Sequence, residues 1–231
     1  MPGKKDAIVF VVAHPDDVAH SMGATACLLG RKYRLHVLCA SKGERGMEGK
    51  TLAQAAAIRE KEEAAVCRAI GAGLTFLGQI DGEVFAERAV CERVARALRR
   101  LKPRAVFTLW PVNAHPDHVA AHGIATKALQ LAGLWGKVEL FMSENSLSQT
   151  SQFQPDVLVD ISDLVDQKKA LARMHRSQNP QEEHVNRVLQ RNLIRGQLAH
   201  CGFAEAFKTF VPLTVGRAGG TVASVLLDIR K

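Results

Sequence analysis

The sequence is short of the residues on which several specialised folds depend. Aromatic residues make up 5% of the 231, with two Trp and a single Tyr. An aromatic-packed β-sandwich is therefore not expected, and Ala, Val, Leu and Ile must supply the core. The five cysteines (Cys27, Cys39, Cys67, Cys91 and Cys201) are odd in number, widely separated and without a CxxC pair. That argues against a disulfide framework and against a thiolate zinc site, and favours reduced thiols in a cytoplasmic protein. No stretch approaches the roughly 20 apolar residues of a membrane span. The apolar run Ala7 to Ala13 follows two lysines but ends in charged residues with no cleavage-type sequence, so it reads as a first strand. The SKGERG loop has no GK[ST] and is not a nucleotide P-loop. Ser41 and Ser177 lack a nucleophile-elbow setting, which argues against a covalent serine mechanism.

Hydrophobic residues at 47% and charged residues at 23% are those of a globular chain, and the length fits one domain over residues 1–231. The net charge of +8 raises the question of anionic partners. Much of it, however, lies in Arg88, Arg93, Arg96, Arg99, Arg100, Lys102 and Arg104, between apolar residues Val90, Val94, Ala97 and Leu101 at helical spacing. This is the pattern of a surface helix with a solvated basic face, and no nucleic-acid partner is expected.

Apolar runs and helical stretches alternate along the chain. Strands are expected at Ala7 to Ala13, Tyr33 to Ala40, Leu74 to Leu77, Ala105 to Leu109, Val138 to Met142 and Pro155 to Ile161, and at the end over Phe203 to Val211 and Thr221 to Ile229. Helices are expected over Asp16 to Gly30, Thr51 to Ile70 with Gly71 as C-cap, Ala86 to Leu101, Pro116 to Ala132 and Asp163 to His175, and, after the loop SQNPQEE, in a further helix to about Ala199. The rhythm implies a three-layer α/β/α sandwich with a mostly parallel, Rossmann-like sheet. In such sheets ligands collect beyond the carboxyl ends of strands.

Two loops of that kind carry similar clusters: Ala13-His14-Pro15-Asp16-Asp17 after the first strand, and His115-Pro116-Asp117-His118 after the strand ending at Leu109. Proline suits the first helical position, which makes His14 and His115 candidate N-caps. Residues three apart, His14 with Asp17 and His115 with His118, then project from one side of each helix start. Histidine and carboxylate without thiolate suit zinc with an open position, or another divalent ion such as Fe2+, Co2+ or Mn2+.

AHPDD, SKGE, the Arg of AIREKEEAA and NAHPDH, followed by QIDGE, PDVLVDIS, KKALARMHRSQ and GFAEAF, resemble the PIG-L/LmbE-like family of metal-dependent N-deacetylases. GMEG, HRSQ and AEAF resemble most the branch of bacillithiol-pathway N-acetylglucosamine-malate deacetylases. The resemblance implies metal ligands at His14, Asp17 and His118, with Asp16 as general base. It implies that His115, protonated, stabilises the oxyanion, and that Asp117 fixes the tautomer of a histidine. Glu44 and Arg59 match positions near the substrate, where Arg59 would pair with an anionic aglycone and Glu44 with a sugar hydroxyl or the catalytic water. A small amino-sugar substrate and a homo-oligomer are implied as well.

The chain departs from the family pattern after AHPDD, where Val18 and Ala19 replace acidic residues and Ala19-His20-Ser21-Met22-Gly23 replaces a glycine-rich turn. His20 is read as pointing aside, His122 as a pocket or surface residue, and His175 as either a pocket or a helix-end residue. Two other readings compete with sugar deacetylation: deacylation of a non-sugar amide, and a non-catalytic anion binder, which would need no general base.

Overall fold

The computed structural model describes residues 6–210 and 224–229. Strand β1 (Ala7–Val12) is buried along its whole length. Its alternate side chains serve two cores: Ile8, Phe10 and Val12 pack on one face of the sheet, Val9 and Val11 on the other. Helix α1 (Asp17–Gly30), β2 (Arg34–Ser41), α2 (Leu52–Ile70), β3 (Ala72–Gln79), α3 (Arg88–Leu101), β4 (Pro103–Leu109), α4 (Pro116–Ala132) and β5 (Glu139–Ser143) follow in alternation. Then come β6 (Val157–Asp160), α5 (Val165–Met174), α6 (Glu183–Leu198), β7 (Ala204–Thr209) and α7 (Val225–Asp228).

The sheet order is β3-β2-β1-β4-β5-β7-β6. β1 to β5 are mutually parallel, and β7 runs antiparallel between β5 and β6. Helices α1, α2 and α5 cover the face carrying Phe10 and Phe107, and α3 and α4 cover the face carrying Val9, Val11 and Val106. This is the three-layer α/β/α sandwich expected. Val90, Val94 and Leu98 of α3 face the core while its arginines form the outer face. Among the described residues no helix is long and apolar enough to cross a membrane.

Local signals set most boundaries. Thr51 and Gln54 form a reciprocal capping box at the start of α2, and Gly71 ends it in the left-handed region. His115 caps α4 with Pro116 in its first turn. The other candidate cap fails: α1 begins at Asp17 with Asp16, not His14, at the N-cap position, because Asp16 turns left-handed (φ 101°). Helix α1 also breaks at Met22 (φ −145°). The broken ends are satisfied by a fully buried ion pair: Glu205 accepts from the N–H groups of Ala24 (3.1 Å) and Thr25 (2.7 Å), and Lys168 donates to the His20 carbonyl (2.9 Å) and to Glu205 (2.5 Å).

The strand expected at Thr221 to Ile229 is corrected in its described part. Ser224 to Ile229 hold the short helix α7, because Ser224 Oγ caps Leu226 and Glu139 accepts from the Val225 N–H (3.0 Å). Residues 221–223, and Val211 of the preceding strand expectation, lie outside the described residues.

Candidate metal centre

β1 and β4 are neighbours in the sheet, with Phe10 opposite Phe107. The strand order reverses across this pair, so the loops that follow them leave the sheet side by side at the switch point. The two histidine clusters therefore converge. His14 Nδ1 lies 3.3 Å from His118 Nε2, and His118 Nε2 lies 3.5 Å from Asp17 Oδ1. Donors at 2.0–2.1 Å from a tetrahedral zinc stand roughly 3.3 Å from one another, which these separations match. All three residues are buried.

The surroundings leave one free ligand atom on each. Asp17 Oδ2 accepts from the backbone N–H groups of Ala13 (3.0 Å) and His14 (2.9 Å), so Oδ1 faces His118. His118 Nδ1 donates to Asn113 Oδ1 (3.2 Å), which leaves the Nε2 lone pair inward. His14 Nε2 lies between Asp117 Oδ2 (3.0 Å) and Asp81 Oδ1 (3.1 Å), which leaves Nδ1 inward. Burial alone would press His14 toward neutrality, but its bonds to Asp117 and Asp81 and the charge of Asp17 raise its pKa to about 10. The direction of that shift shows a pocket rich in carboxylates, one that favours a cation beside His14. Among the described residues a second convergent group, His14, His115 and Asp117, shares His14. There the carboxylate is already occupied by His14 and by the N–H groups of Gly82 (2.7 Å) and Val84 (3.3 Å).

Two further groups flank the triad. Asp16, half-buried, lines the same cavity. The His115 ring stacks on His118 (centroids 4.6 Å apart) and meets His14 edge-on at 4.8 Å. His115 Nδ1 accepts from the Asp117 N–H (3.3 Å), which places the ring hydrogen on Nε2. The cavity is about 480 Å³, within the range of small-molecule sites. Its far wall is formed by residues 145–149 and by α6 from His184 to Arg191.

A family model described as "PIG-L: GlcNAc-PI de-N-acetylase" matches residues 9–129, more than half of the chain and the part holding both clusters. The chain belongs to the PIG-L family. It is 28% identical over 82% of its length to 4-oxalmesaconate hydratase of Pseudomonas putida, covering 81% of that protein. It is 26% identical over 74% of its length to "Probable N-acetyl-alpha-D-glucosaminyl L-malate deacetylase 2" of Bacillus cereus, covering 83%. The solved N,N'-diacetylchitobiose deacetylase of Pyrococcus horikoshii shares the fold, with a TM-score of 0.79 and 24% identity over 89% of this chain and 84% of that one.

Of the other residues singled out in this PIG-L chain, Arg59 and His20 line the cavity, while Glu44, His122 and His175 are outside its lining. Arg59 lines the cavity, yet its guanidinium is taken up by the carbonyls of Pro15 (2.7 Å) and Gly43 (3.2 Å) and by Asp16 Oδ2 (3.0 Å). At 3% exposure, an anionic aglycone would have to displace those contacts to reach it. Glycine in the SKGERG loop makes room for this arm: a Cβ on Gly43 (φ 69°) would fall 2.2 Å from Arg59 Nη1. Glu44 lies outside the cavity lining and accepts from the N–H groups of Lys42 and Asp81 rather than facing a sugar hydroxyl. His20 lines the cavity, but burial drives its pKa down to about 3 and its Nε2 has no partner. His122 is outside the lining, near the Leu109 carbonyl (3.3 Å). His175 is buried outside the lining and 3.4 Å from Glu63.

Three functional neighbours escaped the sequence reading: Asp81, Asn113 and Glu63. Asp81 stands inside QIDGE and Asn113 opens NAHPDH, so both lay in recognised motifs without an assigned role. Glu63 follows Arg59 by four residues on α2, which on a helix puts the two on one face.

Proposed function

We propose that this chain is a zinc-dependent hydrolase that removes the N-acetyl group from a small N-acetylglucosamine-containing molecule or conjugate. The observation that carries this is the convergence of three metal-type donors with a cavity-lining carboxylate, Asp16, and a histidine N–H, at His115, on one small-molecule cavity. Family membership and the deacetylase relatives support the same reading. His14, Asp17 and His118 would hold the ion, whose chemistry is Lewis-acid activation of a water and of the amide carbonyl. Asp16 accepts the proton of the attacking water and returns it to the departing amine, so acetate and a free amino sugar leave. His115 donates its Nε2 hydrogen to the oxygen on which charge develops. Asp117 and Asn113 hold the His14 and His118 rings so that their inward nitrogens stay unprotonated.

The test is acetate release from N-acetylglucosamine conjugates, with zinc added, by wild type and D16N. Loss of the base should lower kcat by about 10²- to 10⁴-fold. Equal activity in D16N would sink the mechanism. The hydratase relative supports a second reading, addition of water to an activated double bond, in which Asp16 would again move the proton. Including 4-oxalmesaconate in the panel separates the two: turnover of that compound without acetate release from any conjugate would favour hydration.

A further inference from the structure

Asp16 is held in a conformation that its own sequence does not favour. Its φ of 101° and ψ of −28° are in the left-handed half of the map, where a residue with a Cβ is strained. It stands at the N-cap position of α1, yet no side-chain cap bond offsets that strain. The support comes from elsewhere in the chain, from one turn of α2. Arg59 grips the Pro15 carbonyl and the Asp16 carboxylate, and Glu63 Oε2 accepts the Asp16 N–H at 3.2 Å.

Glu63 is fully buried, and among the described residues no lysine or arginine forms an ion pair with it. Its other contacts are the Cys67 thiol (3.7 Å) and the His175 ring (Nε2 at 3.4 Å), which is also fully buried. Burial, with the negative charge of Asp16 and Asp17, raises its pKa to about 7. Burying a carboxyl without a cationic partner costs stability that leucine or methionine of similar size would not cost. What an apolar residue could not do is accept the Asp16 N–H. We propose that Glu63 is a positioning residue that fixes Asp16 in its left-handed conformation through this backbone hydrogen bond, and so sets the aim of the Asp16 carboxylate. The bearing on catalysis rests on the reading of Asp16 as the base.

The experiment compares E63M, which keeps the volume and removes the acceptor, with E63Q, which keeps an acceptor oxygen. Each is made in the wild-type and D16N backgrounds. In E63M, kcat for acetate release should fall by about 10²-fold, the order expected of a reacting group displaced by an ångström. KM should stay within about threefold, since substrate contacts are untouched. Zinc stoichiometry, measured against a chromophoric chelator, should be unchanged. E63Q should stay within about fivefold of wild type, and E63M should lower D16N by no more than roughly twofold, because Glu63 acts through Asp16. Hydrogen exchange at the Asp16 amide, followed by NMR, needs no turnover: it should be slow in wild type and E63Q and fast in E63M.

Wild-type kcat or unchanged Asp16 protection in E63M would overturn the proposal. So would E63Q as damaged as E63M, or an equal loss on E63M in the D16N background. If E63M does not fold, E63Q decides alone, and a loss of activity beyond about 10²-fold or of amide protection overturns the proposal. If wild type releases no acetate, or D16N does so as fast as wild type, it is the deacetylase reading that fails, and the amide measurement still judges the backbone role.

Discussion

Two heptapeptides of this chain, Ala13-His14-Pro15-Asp16-Asp17-Val18-Ala19 and Ala114-His115-Pro116-Asp117-His118-Val119-Ala120, differ at a single position, yet they fold differently. The second is a regular helix start: His115 is extended (φ −90°, ψ 114°), Pro116 opens the first turn and α4 carries no break before Gly133. The first twists left-handed at Asp16 and gives a helix that breaks again at Met22. The cause is tertiary. Arg59 and Glu63 seize the Pro15–Asp16 peptide region, and Lys168 with Glu205 fills the break. Equivalent positions therefore sit differently: the first histidine is one of the three metal-type donors in one copy and the helix cap in the other, and the aspartate after proline lines the cavity in one and braces His14 in the other.

The largest effect should come from exchanging roles between the copies. H118A removes one of three donors, so zinc affinity and acetate release should both collapse, the latter to the background seen after chelation. H115A leaves the triad intact and should bind zinc with wild-type stoichiometry while kcat falls about 10²- to 10³-fold, the loss typical of one oxyanion donor. Chelator competition and steady-state kinetics on the same preparations check this. If H115A lost the metal and H118A kept it, the assignment of roles would be reversed.

A second effect is confined to the broken helix. K168M leaves Glu205 as an uncompensated charge in a site with no exposure, which should destabilise the fold by about 3–5 kcal/mol. Adding E205Q removes the charge while retaining an amide oxygen for one of the two N–H groups, Ala24 or Thr25, and part of the loss should return. Urea denaturation of the single and double variants decides. A double variant no more stable than K168M would show that the pair acts by something other than charge compensation.

Much of this was legible in advance, for a physical reason. β1 is buried on both faces and so reads as an unbroken apolar run, and the cap residues Thr51, Gly71 and His115 act on neighbours within a few positions. The metal-type residues were legible because histidine and carboxylate recur at the same spacing after two strands. What escaped depends on contacts between distant segments. Nothing within a few residues of Asp16 foretells its left-handed backbone, since Glu63 and Arg59 come from another helix. Asp81 reaches His14 from the loop after β3, which is held by Asp117 at the Gly82 and Val84 N–H groups and by Glu44 at the Asp81 N–H. The final helix α7 depends on Glu139 of β5, which no local pattern near Ser224 contains.

The smallest expected effect is a pH dependence of stability, and it again separates the two copies. His20, on α1, and His175, behind Asp16, have pKa values lowered to about 3, first by burial and then, for His20, by the charge of Lys168. A folded pKa below the unfolded value near 6.5 means that the unfolded chain binds more protons as the pH drops. Their contribution is therefore fully present above pH 6.5 and is lost as the pH falls below it. At pH 5 the loss should be about 2 kcal/mol for each histidine, a figure that holds as long as the folded pKa stays below 5. In H20Q, urea midpoints between pH 7 and pH 5 should fall less steeply than in wild type, whatever the variant's absolute stability. A slope identical to wild type would place the proton uptake elsewhere, and would leave the region around the broken helix no more acid-sensitive than its regular counterpart.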